Sequence, residues 1–168
     1  MATLYSKVKL LDHPVHPMLV AFPITFFTTT LVAFVVYAIN ADVTWFHIGY
    51  WANVAGLVTA LAAAIPGIID WAAGIPKHSP AKRVGLLHMV LNVCTIAIFL
   101  INAVLQNPQL GALTPEPALA IVLSVIGVVL LLVSGYLGWS LVQTHHVGVD
   151  LTREQQRLEP RENLPHAP

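Results

Sequence analysis

The residues best suited to chemistry in this chain are its histidines. There are eight of them, as many as all Lys and Arg together and as many as all Asp and Glu together. His13 and His16 stand in the run Asp12-His13-Pro14-Val15-His16-Pro17, His88 stands inside an apolar stretch, and His145 and His146 directly follow another. Asp70 lies near the end of a third apolar stretch. Neutral imidazole is a ligand for zinc, copper and haem iron, and a carboxylate beside it suits zinc or non-haem iron. The single cysteine, Cys94, excludes an intrachain disulfide and any site built from several thiolates. There is no HExxH pair, no ExxH repeat, no nucleophilic triad and no glycine-rich phosphate loop. The pattern is therefore that of a ligand set without a complete catalytic motif, and it leaves open whether the chain is an enzyme.

The elements that must position these groups are membrane helices. Of the 168 residues 57% are hydrophobic and 10% charged, and the mean hydropathy is +0.74. A soluble domain carries about 25% charged residues, so the lipid bilayer is the solvent that this composition fits. A membrane helix needs roughly 20 mostly apolar residues, and four segments qualify: residues 18–39, 48–73, 84–105 and 118–142. The apolar run after Lys7 and Lys9 is as long as a full span and lacks a small-residue cleavage site, so it reads as a retained first helix and not as a signal peptide. The connectors 40–47, 74–83 and 106–117 are short, and the last two contain prolines. Short connections make consecutive helices antiparallel neighbours. The expected fold is all-α: a four-transmembrane-helix, up-down-up-down bundle over residues 1–147, followed by a polar cytoplasmic tail over 148–168. No internal repeat is evident. In the tail, Thr152 and Gln155 suggest a capping box for a short helix that Pro160 stops.

Charge gives the bundle a direction. Lys7 and Lys9 precede the first span, Lys77, Lys82 and Arg83 lie between the second and third, and Arg153, Arg157 and Arg161 follow the fourth. With four spans, all eight cations fall on one side, which the positive-inside rule makes cytoplasmic together with both termini. The net charge is zero, and no basic patch points to nucleic acid. Small residues such as Gly56, Ala60, Ala63 and Gly67 in the second span, and Gly127, Ser134 and Gly138 in the fourth, suit close helix contact in lipid. Pro66 is expected to bend the second span. Trp45, Trp51, Trp71 and Trp139 lie near span ends, as an interfacial belt requires.

This topology brings a His or an Asp from every span to the cytoplasmic end. In an up-down bundle the first and third helices lie on a diagonal, so His16 and His88 are the expected axial ligands of one haem b. Lys82 and Arg83 are then near enough to pair with its propionates, and His145 or Met89 are substitute ligands. Two His-Pro dipeptides predict an extended, stiff lead-in that presents each imidazole with little freedom to lose. It must dip into the bundle, because His88 lies deeper by the count of residues. A non-haem alternative uses His13, His16, Asp70, His88 and His145 as a mixed nitrogen–oxygen metal site, with Asp12 orienting His13. A structural alternative holds no cofactor: Asp70 pairs with Lys82 or Arg83 at the interface, His88 hydrogen-bonds a carbonyl, and the protein is an assembly subunit of a membrane complex.

The stretches HPVHPMLVAFPI, AAIPGIIDW, LLHMVLN and VSGYLGWSLVQTHHVGV, in this order, resemble a bacterial family of small membrane proteins, domain-of-unknown-function family 2231. The resemblance covers nearly the whole chain before the tail. It implies a bacterial inner-membrane location. Some members look fused to, or encoded with, Rieske-type iron–sulfur domains, which implies a redox setting: an electron-transfer subunit working with other membrane subunits, a quinone or an iron–sulfur protein. One departure from the family pattern is His145-His146, where a single His followed by Gly is expected.

Overall fold

The computed structural model describes residues 6–107 and 117–149, together with residues 154 and 157. A two-strand hairpin, β1 (Lys9–Leu10) with β2 (His13–Pro14), leads into a short helix α1 (Val15–Leu19). Then come α2 (Ala21–Asn40), α3 (Val43–Ile69) with a π-helical turn at Asp70–Gly74, α4 (Pro80–Leu105) and α5 (Pro117–Gln143). Among the described residues four helical stretches are long and apolar enough to cross a membrane: Val15–Asn40, Val43–Gly74, Pro80–Leu105 and Pro117–Gln143. Each of these spans begins earlier than hydropathy alone places it, because polar and proline-bearing first turns are helical too. The proposed capping box at Thr152 and Gln155 lies outside the described residues.

The helix ends follow from local chemistry. Asn40 Oδ1 accepts from the Asp42 amide at 3.0 Å, and Asp42 Oδ1 accepts from the Thr44 amide at 2.9 Å. Asp42 thus N-caps α3 across a two-residue link, with Ala41 left-handed at φ 57° closing α2. Ser79 caps α4 by accepting from the Lys82 amide at 3.1 Å, and Pro80 occupies the first turn, where its missing N–H costs nothing. At the end of α5 the Val147 amide donates to the Leu141 carbonyl at 2.9 Å, with His146 left-handed at φ 51°. The Val147 amide thereby closes the end of the helix, with His146 in the left-handed region that glycine favours.

Side-chain contacts show how the helices run. Phe34 of α2 covers Gly49 of α3, and Phe27 covers Gly56. Asn53 of α3 donates to the Phe99 carbonyl of α4, while Trp71 donates to the Lys82 carbonyl. Asn102 of α4 meets Ala120 and Ser124 of α5, while His88 meets Ser134. In each pair one numbering rises as the other falls, so consecutive helices are antiparallel. The closest packing runs α2–α3, α3–α4, α4–α5 and back from α5 to α2. That leaves α2 and α4 on one diagonal and α3 and α5 on the other.

The core is built in layers on those diagonals. Phe27 and Phe99 stack across the first with ring centroids 3.9 Å apart and planes within 7°. Each ring lies on a glycine of the second: a Cβ at Gly56 would stand 2.6 Å from the Phe27 ring, and one at Gly127 would stand 2.5 Å from the Phe99 ring. Eleven residues away on every helix is a second layer of the same design, with His16 on Gly67 and His88 on Gly138. Eleven residues are three helical turns, roughly 16 Å. The α2–α3 and α4–α5 hairpins are thus two copies of one structural unit, a repeat that pattern-matching on the sequence misses. The outer surface is apolar, with Val58, Ile65 and Leu132 more than 60% exposed, as lipid contact requires.

Two tests follow. Gly127→Ala should destabilise the detergent-solubilised protein by about 1–3 kcal/mol, because the new methyl overpacks against Phe99. Gly135→Ala, whose Cβ meets nothing within 4 Å, should leave stability equal or higher; equal behaviour of the two variants in thermal unfolding would refute the layer. The second concerns Asp42, whose carboxyl is held below its ordinary value by the Thr44 backbone N–H. A carboxyl lowered in the folded state adds stability at pH above its unfolded value and loses it as pH falls through the folded one. Unfolding curves taken at about pH 5 and pH 3 should therefore show an acid-dependent loss that Asp42→Asn diminishes.

Candidate functional site

The site is the histidine layer. His16 lies in α1, not in an extended lead-in: the first His-Pro dipeptide closes the hairpin, while the second enters the first turn of a helix, where proline is tolerated. The hairpin turn places Leu11 and Asp12 at φ 48° and 63°, the double left-handed turn that matches strand twist. With His16 already helical, the expected difference in depth from His88 disappears. The two rings stand 6.3 Å apart, centroid to centroid, with planes at 86°.

Each imidazole is oriented in the same way. His16 Nδ1 lies 2.8 Å from the Ala63 carbonyl, and His88 Nδ1 lies 2.8 Å from the Ser134 carbonyl. Ala63 and Ser134 are equivalent in the two hairpins, each four residues before the glycine that its histidine covers. A carbonyl only accepts, so Nδ1 carries the hydrogen in both rings and Nε2 carries the lone pair. The Ala63 carbonyl is next to the one that Pro66 orphans. Proline has no N–H for Ala62 and crowds that turn, which favours outward-facing carbonyls there.

The two rings differ beyond Nε2. Asn92, one turn after His88, places its Nδ2 3.1 Å from His88 Nε2, 2.9 Å from the His88 carbonyl and 2.8 Å from Ser134 Oγ. The equivalent residue behind His16 is Val20. Neither Asn92 nor the Ala63 and Ser134 carbonyls stood out in the sequence. The His88-to-Asn92 spacing was the available signal, since side chains four apart share a helix face.

Other expected ligands are engaged elsewhere. Asp70 Oδ1 accepts from the Lys7 amide at 2.6 Å and the Val8 amide at 3.2 Å, and its Oδ2 accepts from Ser6 Oγ at 2.6 Å. Asp70 therefore anchors the N-terminal segment and is not the interfacial partner of Lys82 or Arg83. His13 is exposed and its Nδ1 lies 2.6 Å from the Leu11 carbonyl, so its partner is backbone and not Asp12. Lys82 directs Nζ at the Trp71, Ala72 and Ile75 carbonyls and lies over the Trp71 ring, 4.1 Å from its centroid. It terminates the π-helical turn, while Arg83 is exposed. His145 is half-buried beyond the end of α5. Among the described residues no three His, Cys, Asp or Glu side chains converge as a metal site. The mixed set of His13, His16, Asp70, His88 and His145 is not brought together; the pair His16 and His88 is. The expectation that His88 hydrogen-bonds a carbonyl is met.

The role of Asp70 predicts a local effect. Hydrogen bonds to a charged group contribute roughly 1.5–3 kcal/mol. In Asp70→Ala the Lys7 and Val8 amides should exchange with deuterium about tenfold faster or more, with helical amides of α5 unaffected. Unchanged exchange at Lys7 and Val8 would remove the anchor from the account.

Comparison with known proteins agrees with this architecture. The family model described as predicted membrane protein (DUF2231) matches residues 12–151, from the His-Pro hairpin to the end of the bundle. No curated protein and no solved structure matches the chain. Four apolar helices, the His-Pro motif and this match over most of the chain place the protein among membrane proteins, and it belongs to the DUF2231 family.

Proposed function

We propose that this chain is a haem-b-binding electron-transfer subunit of a larger membrane redox complex, with His16 and His88 as axial ligands. The observation that carries the reading is the pair itself: two imidazoles from the first and third spans, each pinned through Nδ1 to a backbone carbonyl. That second bond selects the ligating tautomer and raises the basicity of Nε2. The centroids lie 6.3 Å apart, close enough that the two residues would hold one iron, each through an imidazole nitrogen. The donor set, two imidazoles with Nδ1 turned to carbonyls, fits the group. Haem b held there supplies a one-electron carrier whose potential the ligands and surroundings tune.

The chain's own residues do the rest. Ala63 and Ser134 orient the rings, and Gly67 and Gly138 leave them room. Asn92 must give up its contact with His88 Nε2, exchanging one hydrogen bond worth about 0.5–1.5 kcal/mol for a ligand bond. Exposed Arg83 is the cation for propionates, because Lys82 faces carbonyls. In this reading the chain sits in the bacterial inner membrane with both termini and the histidine layer on the cytoplasmic side. Its electron partners are other membrane subunits, a quinone or an iron–sulfur protein.

One observation favours a second reading, a cofactor-free assembly subunit: the histidine layer repeats the phenylalanine layer, ring on glycine. The full chain, purified after expression with haem supply, separates the two. A Soret band and a reducible α band are expected, lost in His16→Ala and in His88→Ala and kept in Asn92→Val. A colourless protein that also takes up no haem on titration would sink the electron-transfer reading. Retained assembly of a His16→Phe, His88→Phe double variant would then support the second. Elemental analysis of the same sample reports any non-haem zinc, copper or iron.

A further inference from the structure

Three residues beyond the Phe27–Phe99 stack, every helix contributes a polar side chain to one layer: Thr30, Asn53, Asn102 and Ser124, each 0% exposed. The layer lies fourteen residues from His16 along the first span, roughly 21 Å, and the aromatic stack separates it from the histidines. Its hydroxyl donors and the Asn102 amide donors are spent, and Asn53 Nδ2 is turned to a carbonyl. Thr30 Oγ1 donates to the Phe26 carbonyl at 2.9 Å, and Ser124 Oγ donates to the Ala120 carbonyl at 2.7 Å. Asn53 Nδ2 donates to the Phe99 carbonyl at 3.1 Å. Asn102 Nδ2 donates to the Ala120 carbonyl at 3.1 Å and to Ser124 Oγ at 3.0 Å. Those acceptors also set both amide orientations, since a flipped amide would face its oxygen against a carbonyl.

What remains is a pair of acceptors that no donor among the described residues reaches. Asn53 Oδ1 and Asn102 Oδ1 are buried and have no hydrogen-bond partner. A buried amide oxygen in an apolar bundle requires a donor, and the neighbouring hydroxyls have none to give. The guest must therefore bring hydrogens. None of the four layer residues carries a charge to balance a cation, and an unbalanced ion at this depth is costly. Water is neutral, carries two hydrogens and occupies sites of this polarity in protein interiors. We propose that this layer is an internal water site, in which bound water donates to Asn53 Oδ1 and Asn102 Oδ1.

The test uses the native full chain. A high-resolution map should show ordered solvent within about 3.2 Å of both amide oxygens, with no anomalous signal there after exchange of sodium for thallium. Well-ordered Asn53 and Asn102 side chains with no density beside them would overturn the proposal. A thallium peak at that position would also overturn it, by making the guest a monovalent cation.

Discussion

The contact on which this bundle rests is an aromatic ring lying on a glycine of the neighbouring helix. Lipid is as apolar as leucine, so burial of hydrophobic surface does little to hold membrane helices together; close packing must do it. Here Phe34, Phe27 and His16 lie on Gly49, Gly56 and Gly67 of α3, while Phe99 and His88 lie on Gly127 and Gly138 of α5. Each contact brings a helix backbone against a ring; an added methyl would stand under 3.0 Å from the ring at Gly49, Gly56, Gly67 and Gly127, and at 3.1 Å at Gly138. The diagonal helices then meet through the rings themselves. Histidine in such a place is an aromatic ring first, and its support follows the packing rule that serves phenylalanine.

The coarse structure was legible because the bilayer imposes it. Four apolar runs, the glycines and the one-sided cations are composition, and composition survives without coordinates. Pairings across helices are different in kind. Nothing in the string Ala60-Leu61-Ala62-Ala63 marks the Ala63 carbonyl as the partner of His16; that role depends on the antiparallel register and on Pro66 three residues away. Asp70 was misjudged for a related reason. A carboxylate near a span end with Lys82 and Arg83 close in sequence suggests an ion pair, but two backbone amides and a hydroxyl from the N-terminal segment reach it instead. Lys82 in turn is taken by the open carbonyls of the π-helical turn.

The repeat was hidden because its two copies share positions and not residues. His16 and His88, Phe27 and Phe99, Gly56 and Gly127, and Gly67 and Gly138 correspond, but most positions between them differ. What is kept is the layer geometry. What differs is informative: Val20 stands where the other copy has Asn92, so only His88 has an amide at Nε2. A symmetric scaffold thereby presents two chemically unequal imidazoles.

The repeat also divides the molecule mechanically. Every bond that supports a histidine is internal to its own hairpin: His16 with Ala63 and Gly67, His88 with Ser134 and Gly138. The approach of the two rings is made only between hairpins. A small rotation of one hairpin against the other therefore changes the gap between the imidazoles while leaving each ring's tautomer and orientation intact. The width of the gap and the orientation of the rings are therefore separate degrees of freedom.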